Sequence, residues 1–127
     1  MSDLHVSTDA ARFAAERRGA IGLVTLKGTL DYAVRLTFEE FLDRAFAQCG
    51  PDLVIDLLDL DLLDSRSTGL LVNCWKRSRE AGGWLGLVAI QRSAARVLWI
   101  TGLASRIPVY PTLEEALAAA PASVSDD

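Results

Sequence analysis

No stretch of this 127-residue chain approaches the ~20 consecutive apolar residues that a membrane-spanning helix needs. Met1 to Ala10 has no basic start followed by an apolar segment, so no secretory signal is expected there. A soluble, cytoplasmic protein with no membrane partner is expected. Cysteine and histidine are scarce. Cys49 and Cys74 lie in otherwise apolar helical patterns and show no ligand spacing, which points to reduced core thiols and against a disulfide or a zinc site. The single histidine, His5, stands in a small, polar stretch with no partner at useful spacing, so no role, metal or cofactor is assigned to it. Positive charge is in short supply as well. A net charge of −4 argues against a nucleic-acid partner, and the cluster Lys76-Arg77 with Arg79 reads as a solvated helix face. No internal repeat or low-complexity segment competes with a single domain.

Half of the residues are hydrophobic, enough to fill one core. The stretch from Leu53 to Gly83 organises the chain. Leu53-Val54-Ile55 reads as a strand buried on both faces, as in a parallel sheet under helices. An acidic turn over Asp59 to Asp64 is expected to reverse the chain, with Ser65 capping a helix in which Thr68, Leu71, Cys74, Trp75 and Ser78 face inward. Arg66, Asn73, Lys76, Arg77 and Glu80 fall on the other side. Such a turn holds backbone N–H groups and short hydroxyls at the end of a rigid strand, where a partner or phosphate can reach them.

Around this segment, residues 1–11 read as a flexible tail, 12–120 as the domain, and 121–127 as a second flexible tail. Phe13 to Arg17 and Ile21 to Lys27 form an opening hairpin. A helix follows, with Leu36, Phe38, Phe41, Leu42, Ala45 and Phe46 as its apolar stripe and Thr37 with Glu40 at capping-box spacing; Cys49-Gly50-Pro51 ends it. Trp84 to Ala89 is a further strand, Ser93 caps a helix stopped by Gly102, and Ile107 to Tyr110 is a short strand. Thr112 with Glu115 opens a last, alanine-rich helix. Of the tryptophans, at least one of Trp84 and Trp99 is expected to pack against the sheet, and Trp75 to be only partly covered. The class is α/β: a single domain with a mixed β-sheet packed with α-helices.

Five landmarks then carry a family resemblance: Gly28-Thr29-Leu30-Asp31, Val54-Ile55-Asp56-Leu57 leading into Leu63-Asp64-Ser65, Gly82-Gly83, Val97-Leu98 with Thr101-Gly102-Leu103, and Val109-Tyr110 before Leu113-Glu114-Glu115-Ala116-Leu117. Their order and spacing, from about Phe13 to Ala120, resemble a STAS domain of the bacterial anti-sigma factor antagonists. The resemblance implies a non-enzymatic switch protein. Its partner would be an anti-sigma factor, in many family members also a serine kinase, and binding frees a sigma factor for RNA polymerase. The implied surface comprises Asp31, Asp64, Ser65, Arg66, Ser67, Thr68 and Lys76. In the family the turn reads Asp-Ser-Ser-Gly or Asp-Ser-Thr-Gly, and the second hydroxyl is phosphorylated. Here Arg66 occupies that acceptor position and Ser67 stands where the family has glycine, so the usual site is absent; Ser65 and Ser67 are the possible displaced acceptors.

Each retained residue also has a plain structural explanation. Ser65 can cap a helix whatever its function, Asp64 suits a helix N-terminus, and Asp31 needs only a turn. Arg66 is harder to explain this way, because a cation in the first helical turn opposes the macrodipole. Two other classes stay open. The acids Asp56, Asp59, Asp61 and Asp64 could belong to an aspartyl-phosphate hydrolase or a receiver domain, although Leu63 stands where such an enzyme needs a hydroxyl and no lysine follows Lys76. A STAS scaffold that holds a partner without phosphorylation is the third.

Overall fold

The computed structural model describes residues 3–121 and lays six strands side by side in chain order. They are β1 (Leu4–Ser7), β2 (Ala11–Arg18), β3 (Ile21–Leu30), β4 (Leu53–Leu63), β5 (Leu85–Val88) and β6 (Val109–Tyr110). The first three form an antiparallel meander, and β3 through β6 run parallel. The helices are α1 (Arg35–Cys49), α2 (Ser65–Glu80), the single-turn α3 (Val97–Ile100) and α4 (Leu113–Ala119). This is the expected mixed α/β sheet. Because each parallel strand is added at the same edge, right-handed crossovers put every connecting helix on one face. That face holds the large core, where Phe13 and Ile55 of the sheet meet Phe38 and Phe41 of α1, Leu71 of α2 and Leu98 of α3. The ring of Phe13 lies 5.3 Å from those of both Phe38 and Phe41. Among the described residues, α4, after the last strand, is the helix that covers the other face, packing Ala116 over Ile21, Leu23, Val54 and Val88.

Local chemistry sets the element ends. Gly82 stops α2 at φ +78°, with its N–H donated to Arg79 O and that of Gly83 to Ser78 O, a closure that needs a left-handed residue. Ser93 caps the turn Ala94–Arg96 by accepting from Ala95 N, and Thr112 caps α4 by accepting from Glu115 N. Ser78, buried in α2, donates to Pro51 O at 2.7 Å and ties the helix to the loop before β4.

Several expectations change. Residues 4–7 of the expected N-terminal tail form β1 along the edge of β2, with Leu4 buried and His5 and Ser7 exposed; an open strand edge is a template that a short alternating segment can satisfy. Of the C-terminal tail, residues 122–127 lie outside the described residues. The acidic turn from Asp59 is strand instead. β3 continues to Leu30, and β4 follows it to Leu63 through two register shifts. At the second shift Gly28 has φ +91°, and a Cβ there would lie 2.2 Å from Ala10 O, so no other residue fits. α1 starts at Arg35 after a 3-10 turn over Tyr32–Val34, which leaves Thr37 inside the helix and not at its cap. Leu36 stands off the apolar stripe and is 65% exposed. Trp75, expected to be only partly covered, is buried in the large core; Trp99 packs half-buried against that core and Trp84 against the smaller core on the other face, as expected of at least one of them.

Candidate functional site

The register Leu30↔Leu63 brings the carboxyl ends of β3 and β4 together, and Asp64 N donates to Leu30 O at 3.1 Å. Asp31 and Asp64 therefore leave the sheet side by side, at the edge where open α/β sheets place their sites. Both are caps. Asp31 Oδ1 accepts from Ala33 N at 3.0 Å, and Asp64 Oδ1 accepts from Ser67 N at 2.8 Å. The cap of α2 is thus Asp64 and not Ser65, because its carboxylate, one residue earlier, reaches the third N–H of the helix. Ser65 is left exposed as the first helical residue.

The helix divides the remaining candidates sharply. Ser67 and Thr68 point into the protein. Thr68 Oγ1 donates to Asp64 O at 2.8 Å, whereas Ser67 Oγ is fully buried and has no partner among the described residues. Of the two possible displaced acceptors, the Ser67 hydroxyl thus faces the interior. Arg66, Gly69, Asn73 and Lys76 are exposed. Lys76 lies about 15 Å along the helix from Arg66, so it is remote from the turn. Across from this face stands the start of α1, and Arg35, Leu36, Glu39, Arg66, Leu70 and Asn73 line a cleft of about 270 Å³ between the two helices. At its mouth the Tyr32 ring, 54% exposed, carries the Arg35 guanidinium 3.7 Å from its centroid and that of Arg66 at 5.1 Å. Arg35 also donates to Tyr32 O at 3.0 Å. Further along, Arg77 bridges the helices to Asp43 at 2.5 Å and lies over the Phe46 ring.

Tyr32, Arg35 and Leu36 were not singled out from the sequence. One signal could have found Leu36: Phe38, Phe41, Leu42, Ala45 and Cys49 keep helical spacing, and a residue two before Phe38 falls on the opposite side. The acids of the hydrolase reading do not converge. Asp59 and Asp61 are exposed along β4, Asp56 accepts from Leu58 N, and Asp64 is the cap. Among the described residues no group of acids, histidines and cysteines could hold a metal ion. Both cysteines are buried, and burial pushes the pKa of the Cys74 thiol up to about 11. No helix among the described residues is long and apolar enough to cross a membrane.

The STAS domain profile matches residues 12–116, and the chain belongs to that family. Proteins named as bacterial anti-sigma factor antagonists are among its relatives. A Thermotoga neapolitana protein provisionally named as one is 35% identical over 80 residues, 63% of this chain and 67% of that one. The anti-sigma-F factor antagonist RsfA of Mycobacterium tuberculosis is 27% identical over 114 residues, 88% of this chain and 89% of its own. The crystal structure of an anti-sigma factor antagonist from Mycobacterium paratuberculosis superposes with a TM-score of 0.80 at 28% identity, covering 90% of this chain and 97% of that one.

Proposed function

We propose that this chain is a non-enzymatic anti-sigma factor antagonist of the cytoplasm. It binds an anti-sigma factor through the turn 64–69 and the exposed face of α2, and so releases a sigma factor. The supporting observation is the α1–α2 cleft beside the paired caps Asp31 and Asp64, which presents Arg66, Leu70 and Asn73 in a chain whose relatives carry that function in their names. Its decisive test uses Gly69. A Cβ there meets nothing within 4 Å, and a helical glycine costs up to ~1 kcal/mol relative to alanine, so Gly69→Trp folds while obstructing the docking face. Anti-sigma factors of the host, purified singly and titrated by calorimetry, should include one that binds the parent chain and fails to bind Gly69→Trp. Equal affinity for both chains moves the interface elsewhere.

The same protein works without phosphorylation at the family's position. Arg66 cannot accept a phosphoryl group, and its charge is opposite to that of a phosphoserine. Ser65 is the exposed hydroxyl of the turn and Ser67 is closed, so a displaced acceptor could only be Ser65. Incubation with the anti-sigma factor partner and ATP, followed by mass spectrometry, should leave both serines unlabelled. High-stoichiometry phosphate on Ser65 refutes the phosphorylation-free reading. If Arg66→Ser also stays unlabelled, the partner is not a kinase and the protein is a scaffold.

A further inference from the structure

We infer that the mouth of the α1–α2 cleft is a receptor for a carboxylate side chain of the protein partner, presented next to an apolar one. The inference rests on the docking reading above and names the chemistry of what docks. Arg35 and Arg66 share one aromatic ring, which holds their guanidinium carbons within about 9 Å of each other. Neither has a carboxylate within ion-pair distance; the ion pairs among the described residues are Arg18–Glu16 and Arg77–Asp43. The nearby acids Asp31 and Asp64 are committed to backbone N–H groups of their own turns. Arg35 is already held by Tyr32, through its ring and its carbonyl, so little side-chain freedom remains to be lost on binding. Two forks facing one small opening can each give a charge-assisted bond to one oxygen of a carboxylate.

Charge selects the class of anion. Glu39 lines the same cleft, so the two arginines leave an excess of one positive charge, which a carboxylate neutralises. A phosphoryl group brings about −1.5 to −2 and would leave the cleft negative. The wall selects the neighbour. Leu36 is 65% exposed and Leu70 half-buried on the two sides of the cleft, and an aromatic ring with arginines around an apolar patch is the composition that dominates protein interfaces. The helix face therefore fits a partner segment in which an acidic and an apolar side chain stand about one helical turn apart.

The probe is a short, blocked helical peptide with leucine and glutamate one turn apart, alongside versions with glutamine or lysine in place of the glutamate. Titration into the labelled chain, followed by backbone amide shifts, should perturb Leu36, Arg66, Gly69 and Asn73, with the glutamate peptide binding about tenfold more tightly than the glutamine one and losing that lead at high salt. In Arg35→Glu/Arg66→Glu the order should invert in favour of lysine, and in Arg35→Gln/Arg66→Gln it should vanish, with circular dichroism unchanged. Equal affinity for all three peptides, shifts outside the cleft, or a preference that survives either double variant overturns the inference. Self-association of the parent chain that the double variants abolish would make the occupant a second copy and also overturns it. If the peptides show no preference while Gly69→Trp still blocks the anti-sigma factor, the docking reading stands and this inference falls. A Gly69→Trp chain that keeps full affinity overturns both.

Discussion

Replacing Ser67 by alanine should stabilise this protein, although Ser67 sits in the first turn of the helix that is proposed to carry its binding face. The hydroxyl is fully buried and its oxygen meets no donor or acceptor among the described residues. An unmade hydrogen bond of this kind costs about 1–3 kcal/mol in desolvation. Alanine removes that cost and keeps the Ser67 N–H, which is the group that Asp64 Oδ1 caps. Its helix propensity adds a few tenths of a kcal/mol. Against this, losing one oxygen leaves a void on the order of 15 Å³, which at ~24 cal/mol per Å³ costs about 0.4 kcal/mol. The net expectation is about 1 kcal/mol in favour of alanine, or a rise of roughly 3–5 °C in Tm for a domain of this size. Urea melts should show a higher midpoint at unchanged slope. Thr68→Val supplies the control. The Thr68 hydroxyl is bonded to Asp64 O, so its removal should destabilise the chain by about 0.5–1.5 kcal/mol. If Ser67→Ala destabilises the protein by a similar amount, the hydroxyl has a partner in solution and the reasoning fails.

Asp64→Ala removes the cap of α2 and should cost about 0.5–2 kcal/mol in equilibrium unfolding, so any binding loss in that variant has to be compared with a fold control. Asp64→Asn should recover most of the stability, and a variant that does not would show that charge matters more than the hydrogen bond. Gly28→Ala should be among the costlier single changes, because a Cβ meets the Ala10 carbonyl and φ is positive; a thermal melt within about 1 °C of the parent would contradict this. Cys74 should resist thiol reagents at neutral pH in the native state. Its folded pKa is raised by burial, so its contribution to stability is complete below the ordinary thiol value of 9.0 and is lost as pH rises toward about 11. Cys74→Ala should show a shallower alkaline loss than the parent; identical pH profiles would mean that the thiol is not protected.

The element sequence was legible because its signals are local. Gly82 closes a helix through its own left-handed conformation, Ser93 and Thr112 cap the turns that follow them, and the apolar run Leu53-Val54-Ile55 can only be a strand covered on both sides. Where two residues compete for one role, local signals fail. Asp64 and Ser65 are both good caps, and the choice was made by where β4 ends, which depends on its pairing with β3 through the bulge at Gly28. The acids Asp59 and Asp61 resembled a turn for the same reason. Their strand character comes from a neighbour about thirty residues earlier, Lys27 being the register partner of Asp59.

The sequence by itself determined an α/β domain with its four helices and the strands from β2 onward, the STAS resemblance, and, through that resemblance, the loss of the acceptor hydroxyl at Arg66, since each rests on residue identity and short-range periodicity. Tertiary structure alone built the α1–α2 cleft that is proposed to dock. Tyr32, Arg35 and Leu36 lie about thirty residues from Arg66, in a segment read as cap and core, and they meet it only because parallel pairing aligns Leu30 with Leu63. It also decided which of the turn's hydroxyls faces solvent. Ser65 and Ser67 differ in sequence by two positions, but two residues on a helix are about 200° of rotation, enough to expose one to solvent and bury the other in the core.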